Sequence, residues 1–401
     1  MQTSPAAMSR PIARRNLLKT GTAFAAAGTG LLHAVRAEAQ PDAGAMRAYV
    51  GAFTTPQRKA HGDGINVYQI DPKNGVWTHL QLLKEVNPSF LTIDRAQRFL
   101  YAVHADLDEV SAYSIDKQSG SLTALNHQSC GGKNPVHLSI DPSGRYIVTA
   151  NYTAGSVGVV PIEQDGSLGA PTDVQQLKGE PGPNRKEQAS SHPHNAVFDP
   201  SGRFIAVPDK GLDRIFVFRL DATSGKLVPN DPPFVATRAG QGPRHIAFHP
   251  SLPLAYVVNE LGASVTTYRF DPERGTLEPL QLLPATPPSY TANDTGAEIT
   301  VAPSGRFVYA SNRGANSVAI FAVDWASGTL KPVGWAQTER PKEGETVRFI
   351  TLDPAARILY AANMDSDTVV PFTVDWESGM LTPSGHIIHV NSPCAIVFAG
   401  T

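Results

Sequence analysis

Four ionisable side chains in this 401-residue chain stand where neighbouring repeats carry other residues: His194, Arg244, Glu260 and Arg313. An imidazole or a carboxylate can take a proton from water. A guanidinium fork can hold a carboxylate, a phosphate or the charge that develops on a carbonyl oxygen. One His, one Glu and two Arg therefore suit proton transfer on an acyl compound or an organic anion. Either His194 or Glu260 is the expected base, with Arg244 and Arg313 as clamps. His192, His245, Lys210, Glu298, Arg348 and His137 form a wider set expected to touch substrate. His192 and His194 lie two apart, but no third ligand has convincing metal spacing, so neither metal nor other cofactor is expected.

These residues form a set only when the repeats that carry them are aligned. Six passages of about 50 residues share one plan, seen in NPVHLSIDPSGRYIVTANYTAGSVGVVPIEQDGSL from Asn134 and GAEITVAPSGRFVYASNRGANSVAIFAVDWASGTL from Gly296. Each has apolar runs rich in Val, Ile, Phe and Tyr, punctuated by Pro, Gly, Asn and Asp, the signature of short antiparallel strands. Four strands in such a period make one propeller blade, which buries both faces only between neighbours. Ser392 to Phe398 matches a first strand alone, while Ala48 to Phe53, Ile65 to Ile70 and Trp77 to Leu83 match the other three. The expected fold is an all-β, seven-bladed propeller over residues 48–401, whose closing blade is shared by strands from both termini. Such sharing leaves no sheet edge open.

Alignment turns sequence columns into rings around the channel mouth. At the start of the first strand one column reads Ser89, Val136, His194, Arg244, Ala297, Arg348, and the next reads Phe90, His137, Asn195, His245, Glu298, Phe349. At the end of the second strand a third reads Ala105, Tyr152, Lys210, Glu260, Arg313, Met364. Ionisable groups thus converge on one sector. By contrast, Ser143, Ser201 and Ser304 recur in Pro-Ser-Gly turns and need no chemical role. Asn151, Asn259, Asn312 and Asn363 end second strands and are expected to hold the following turns.

The flanks and composition narrow the setting. Residues 1–39, with Arg14-Arg15, an Ala/Gly-rich run and Ala37-Glu38-Ala39, read as a twin-arginine signal peptide, followed by a linker at 40–47. The run is too short and too Ala/Gly-rich for a membrane span. The expected setting is therefore periplasmic or secreted, with the twin-arginine export machinery as a transient partner and no membrane contact after cleavage. Lys+Arg 34 against Asp+Glu 36 and the lack of a basic stripe argue against nucleic acid. Cys130 and Cys394, far apart and outside any CxxC spacing, are expected as buried thiols rather than a disulfide.

The segments SHPHNAVFDPSGRFIAVP, GPRHIAFHP with VNELGASV, and YASNRGANSV resemble the lactonase seven-bladed β-propeller family, and the blades are also similar to YVTN-type repeats. That family includes propeller-type 6-phosphogluconolactonases and the fungal 3-carboxymuconate lactonizing enzyme. By motif, the muconate enzyme's proposed His, Glu and two Arg fall on His194, Glu260, Arg244 and Arg313. The resemblance implies a lactonase acting on a small sugar-acid or related lactone. A 3-carboxymuconate-type cycloisomerase and a non-catalytic exported binding propeller are the alternatives. An export signal favours an unphosphorylated lactone.

Overall fold

The computed structural model describes residues 46–339 and 347–400. The expected signal peptide and most of the expected linker lie outside those residues. Seven antiparallel sheets follow one another along the chain. Blade 1 is ordered Pro393–Ala399, Arg47–Ala52, Gly64–Ile70, Trp77–Lys84 from inside to outside, so both chain ends build it as expected. Blades 2 to 6 begin at the inner strands Pro88–Ile93, Pro135–Ile140, Val197–Phe198, Pro243–Phe248 and Thr295–Val301, and blade 7 at Val347–Leu352. In blade 7 the outermost strand is split into Leu381–Pro383 and Ile388–His389, both paired with Thr368–Val374.

Alternation along the strands feeds apolar side chains to the blade on either side. Leu254, Tyr256 and Val258 of blade 5 pack with Val308, Ala310 and Phe321 of blade 6. The ring closes in the same way, with Ala48, Val50 and Ile396 of blade 1 against Phe349, Tyr360 and Ala362 of blade 7. The repeated Gly-x-Leu has a physical cause. Tyr49, Tyr101 and Tyr309 donate their buried hydroxyls to the carbonyls of Gly120, Gly166 and Gly379 in the next blade, at 2.9, 3.1 and 3.1 Å. Those glycines have φ of 75°, 87° and 75°, a left-handed conformation that costs glycine little.

The recurrent polar residues do turn work. Ser143 and Ser201 donate to Asp141 and Asp199 at 2.5 and 2.6 Å. Asn151, Asn259, Asn312 and Asn363 each donate to the Ser or Thr five residues on. Cys130 and Cys394 are separate, buried, free thiols.

Candidate active site

The inner strands share an irregularity that aims the site residues. Pairing slips between Pro88 and Phe90, Pro135 and His137, Pro243 and His245, Gly296 and Ile299, and Val347 and Phe349. The residues left over are Ser89, Val136, Arg244, Ala297 with Glu298, and Arg348. A bulge leaves its extra residue out of the ladder and redirects its side chain. One of the charged columns is therefore a bulge column. Blade 4 departs furthest from the expected strand. Its inner strand is reduced to Val197–Phe198, with a single bridge from Pro193 to Asp209, because Pro193 and Pro208 lack the N–H donors of a regular ladder. His194 keeps one bond there, donating its backbone N–H to the Pro208 carbonyl at 3.0 Å.

Second strands deliver the opposing column. The backbone N–H of Lys210 bonds the His192 carbonyl at 3.0 Å, and that of Glu260 bonds the Gly242 carbonyl at 2.7 Å. Glu260 thereby rises beside the bulge at Arg244, and Lys210 beside the shortened inner strand of blade 4. Equivalent bonds in blades 1 and 2 place Phe53 and Ala105 in the same ring. Sequence alignment had left the closing blade out of the columns, and Phe53 and Cys394 are its members.

Glu260 is the hub of the sector. Lys210 Nζ lies 3.1 Å from its Oε1, and Arg244 Nε and Arg313 Nη2 lie 3.0 and 3.2 Å from its Oε2. Burial would raise its pKa, but Arg313, Lys210 and Arg244 outweigh that and hold it well below the usual carboxylate range. Arg244, 2 % exposed, also donates to the carbonyl of Ala297 in the next blade. Burial and Arg313 lower its pKa to about 10. Arg313 is more open at 16 % and donates to the Gly296 carbonyl at 2.8 Å. Lys210 has a second partner that sequence reasoning missed, Glu187 at 3.1 Å. Glu187 belongs to the stretch between blades 3 and 4, which has no counterpart in the repeat. Its neighbour Gln188 is pinned to the Lys210 carbonyl at 2.8 Å.

A second chain of polar groups runs beside the hub. Glu298 Oε1 is 2.7 Å from His245 Nδ1, and His245 Nε2 is 3.1 Å from His194 Nδ1. Burial pushes the Glu298 carboxyl up to about 7, against the pull of Arg244. Burial first, and then neighbouring cations including Arg244 and Arg348, push His194 and His245 well below the usual imidazole range, so both are neutral at pH 7. His194 Nε2 has no protein partner among the described residues.

The remaining expected residues divide. His137 packs at 4.2 Å on the Phe90 ring and 5.6 Å from His245. Phe90 in turn meets Phe349 at 5.7 Å. The contacts of Phe90 with Phe349 and of His137 with His245 join non-adjacent blades, so these rings meet across the central channel. His192 stacks on Tyr152 at 4.5 Å, with Nδ1 3.1 Å from the Tyr152 carbonyl, and is apart from the His194 chain. Arg348 has no carboxylate partner among the described residues and rests 4.9 Å from the Phe53 ring centroid. Its charge nevertheless acts on His194, His245 and Glu298. Among the described residues no group of three His, Cys, Asp or Glu could hold a metal ion.

Residues 47–398 fit the family model described as Lactonase, 7-bladed beta-propeller. The chain belongs to that family. Among its relatives within the lactonase propellers, the 6-phosphogluconolactonase of Bacillus subtilis (strain 168) is 34 % identical over 353 residues, covering 87 % of this chain and 97 % of the relative. That of Formosa agariphila is 32 % identical over 363 residues, covering 87 % and 98 %. The solved structure of the Pseudomonas aeruginosa periplasmic gluconolactonase superposes with a TM-score of 0.81 at 30 % identity, over 89 % of this chain and 99 % of that one.

Proposed function

We propose that the protein hydrolyses the lactone of a sugar acid, with His194 rather than Glu260 as general base. The observation that carries this reading is the chain from Glu298 through His245 to His194. With Glu298 ionised, His245 donates from Nδ1 to the carboxylate and accepts at Nε2 from His194 Nδ1–H. His194 Nε2 is then left with its lone pair, the form a base requires. Glu260, ringed by three cations, is too weak a base to take a proton from water.

Water gives a proton to His194 Nε2 as its oxygen attacks the lactone carbonyl. Charge moves to the carbonyl oxygen, for which Arg313 is the most open cation of the hub. Collapse of the tetrahedral intermediate breaks the ring C–O bond, and the proton on His194 passes to the departing alkoxide. The product is the hydroxy acid, and the enzyme is unchanged. Glu260 holds Lys210, Arg244 and Arg313 in place so that this charge meets a site already organised.

Export through the twin-arginine route, read from Arg14 and Arg15, places this activity outside the cytoplasm. The likeness to a periplasmic gluconolactonase supports that placement. The test is acid release, followed at constant pH, from glucono-δ-lactone, its 6-phosphate and other lactones, alongside absorbance with 3-carboxymuconate. Turnover of a lactone that collapses in His194→Gln is expected. Turnover of the muconate alone, or lactone turnover that survives His194→Gln, overturns the assignment.

A further inference from the structure

The cations of the hub are committed to Glu260, which leaves one charged residue of the sector without a described partner. Arg348 lines a cavity of about 610 Å³ with Phe53, Thr55, Arg58, Asp106 and Met364. Phe53 and Met364 are the second-strand column members of blades 1 and 7, so the cavity sits at the junction where the ring closes. Two guanidinium groups share the Phe53 ring, Arg58 at 4.4 Å and Arg348 at 4.9 Å from its centroid. Asp106 binds Arg58 through Nε and Nη2, both at 2.7 Å, and accepts a further bond from Asn87 Nδ2 at 3.0 Å. This single carboxylate neutralises Arg58 and leaves Arg348 without a carboxylate partner among the described residues.

We propose that Arg348, with Arg58 and Thr55 beside it, forms a subsite for an anionic group at the far end of the lactone, a phosphate ester or a carboxylate. The proposal rests on the lactone-hydrolase reading. Two cations against one carboxylate leave a net positive pocket, and the planar forks of arginine match an oxyanion with paired hydrogen bonds. Arg58 Nη1 is unbonded among the described residues. The Thr55 hydroxyl accepts from Asn87 Nδ2 at 3.1 Å and keeps its own hydrogen to donate. Burial and the nearby Arg244 and Arg313 depress the Arg348 pKa to about 9, a cost that a bound anion would offset. The cavity is of the size that holds a small ligand. The same Arg348 charge acts on His194 and Glu298, so a ligand could span both places.

The test compares kcat/KM for glucono-δ-lactone, its 6-phosphate and a glucaro-lactone bearing a terminal carboxylate, in wild type, Arg348→Gln, Arg348→Lys and Arg58→Gln. In Arg348→Gln the preference for an anionic over the neutral lactone is expected to fall about 10- to 100-fold, the worth of a charge-assisted bond, mainly through KM. Arg348→Lys is expected to recover part of it, which separates lost charge from lost folding. The arm that moves, phosphate or carboxylate, names the anion. An unchanged preference in both arms overturns the subsite. Calorimetric binding of 6-phosphogluconate keeps the two proposals apart. Binding that depends on Arg348 in a protein that opens no lactone supports the subsite and sinks the hydrolase reading.

Discussion

Replacing Glu260 with Gln keeps the shape of the hub and removes the carboxylate that its three cations share, leaving Lys210 only its contact with Glu187. Three cationic nitrogens then face one another at a site where the carboxylate now lies 3.0 to 3.2 Å from each. At an effective dielectric of about 20, a unit pair some 4 Å apart attracts by about 4 kcal/mol. Three such pairs overcome the cost of burying the carboxylate, as the direction of its pKa shift requires. Removing one member of a buried ion pair costs about 3–5 kcal/mol, here because Arg244 and Arg313 are left without the carboxylate that pairs them. For about 350 ordered residues the unfolding entropy is about 0.7 kcal/mol/K, so Glu260→Gln should lower Tm by about 4–7 °C at pH 7.

Scanning calorimetry at several pH values tests the sign as well. A carboxyl held below its ordinary pKa contributes stability that is complete above that ordinary value, near 4.5, and is lost as pH falls toward the folded value. The gap between wild type and Glu260→Gln should therefore stay constant from pH 8 to 5 and narrow below 4.5. Turnover, measured well below the melting range, should fall by less than the roughly 100-fold that is the minimum for loss of a general base. A variant that melts with wild type yet is inactive would identify Glu260 as the base and refute the role of charge anchor.

His194→Gln should reduce kcat/KM by about 10²–10⁴ while leaving the calorimetric transition cooperative, measured by acid release. With Glu298 protonated, the hydrogen bonds reverse and His194 Nε2 carries a proton, so kcat/KM should fall on the acid side of the Glu298 pKa near 7. Glu298→Gln should remove that limb from the pH–rate profile. The raised Glu298 pKa favours the fold most below its ordinary value near 4.5, and that contribution is lost as pH rises through about 7. A chain ending at Asn391 lacks the inner strand of blade 1 and should show no cooperative melting by circular dichroism. A thiol reagent should count two cysteines in denaturant and none in the native protein, since both are buried and unpaired.

The ring was legible in the sequence because propeller blades repeat the same local physics seven times. Even the split closing blade follows from which strand each terminus lacks. The site was legible for a related reason. In Arg244, Glu260 and Arg313 a charge occupies a column in which several other blades carry an uncharged residue such as Val136, Ala297, Ala105 or Met364. Alignment, however, gives position around the ring and not the direction of a side chain. The bulges redirect Arg244, Glu298 and Arg348, and in the folded ring Glu260 meets three cations while His194 meets His245. The choice between the two bases was therefore open to sequence and is addressed by geometry. Glu187 escaped because it lies in an insertion outside every column.

Phe53 and Arg58 escaped for a different reason, the one that bears most on substrate choice. The passage Phe53-Thr54-Thr55-Pro56-Gln57-Arg58 begins the connection between Arg47–Ala52 and Gly64–Ile70 inside the composite blade, which is longer than the corresponding turn of any other blade and includes a 3-10 segment at Pro56–Arg58. A propeller must close somewhere, and the closing blade is joined by hydrogen bonds rather than by one continuous chain. Its loops are consequently free of the repeat. If Arg348 and this turn together read the far end of the lactone, specificity lies at the closure, three blades of seven around the ring from His194. Changes to the turn could then alter which lactone is opened without touching the groups that open it. Exchanging residues 53–58 for those of a relative with a different substrate preference should shift KM ratios and leave the acid limb near pH 7 in place.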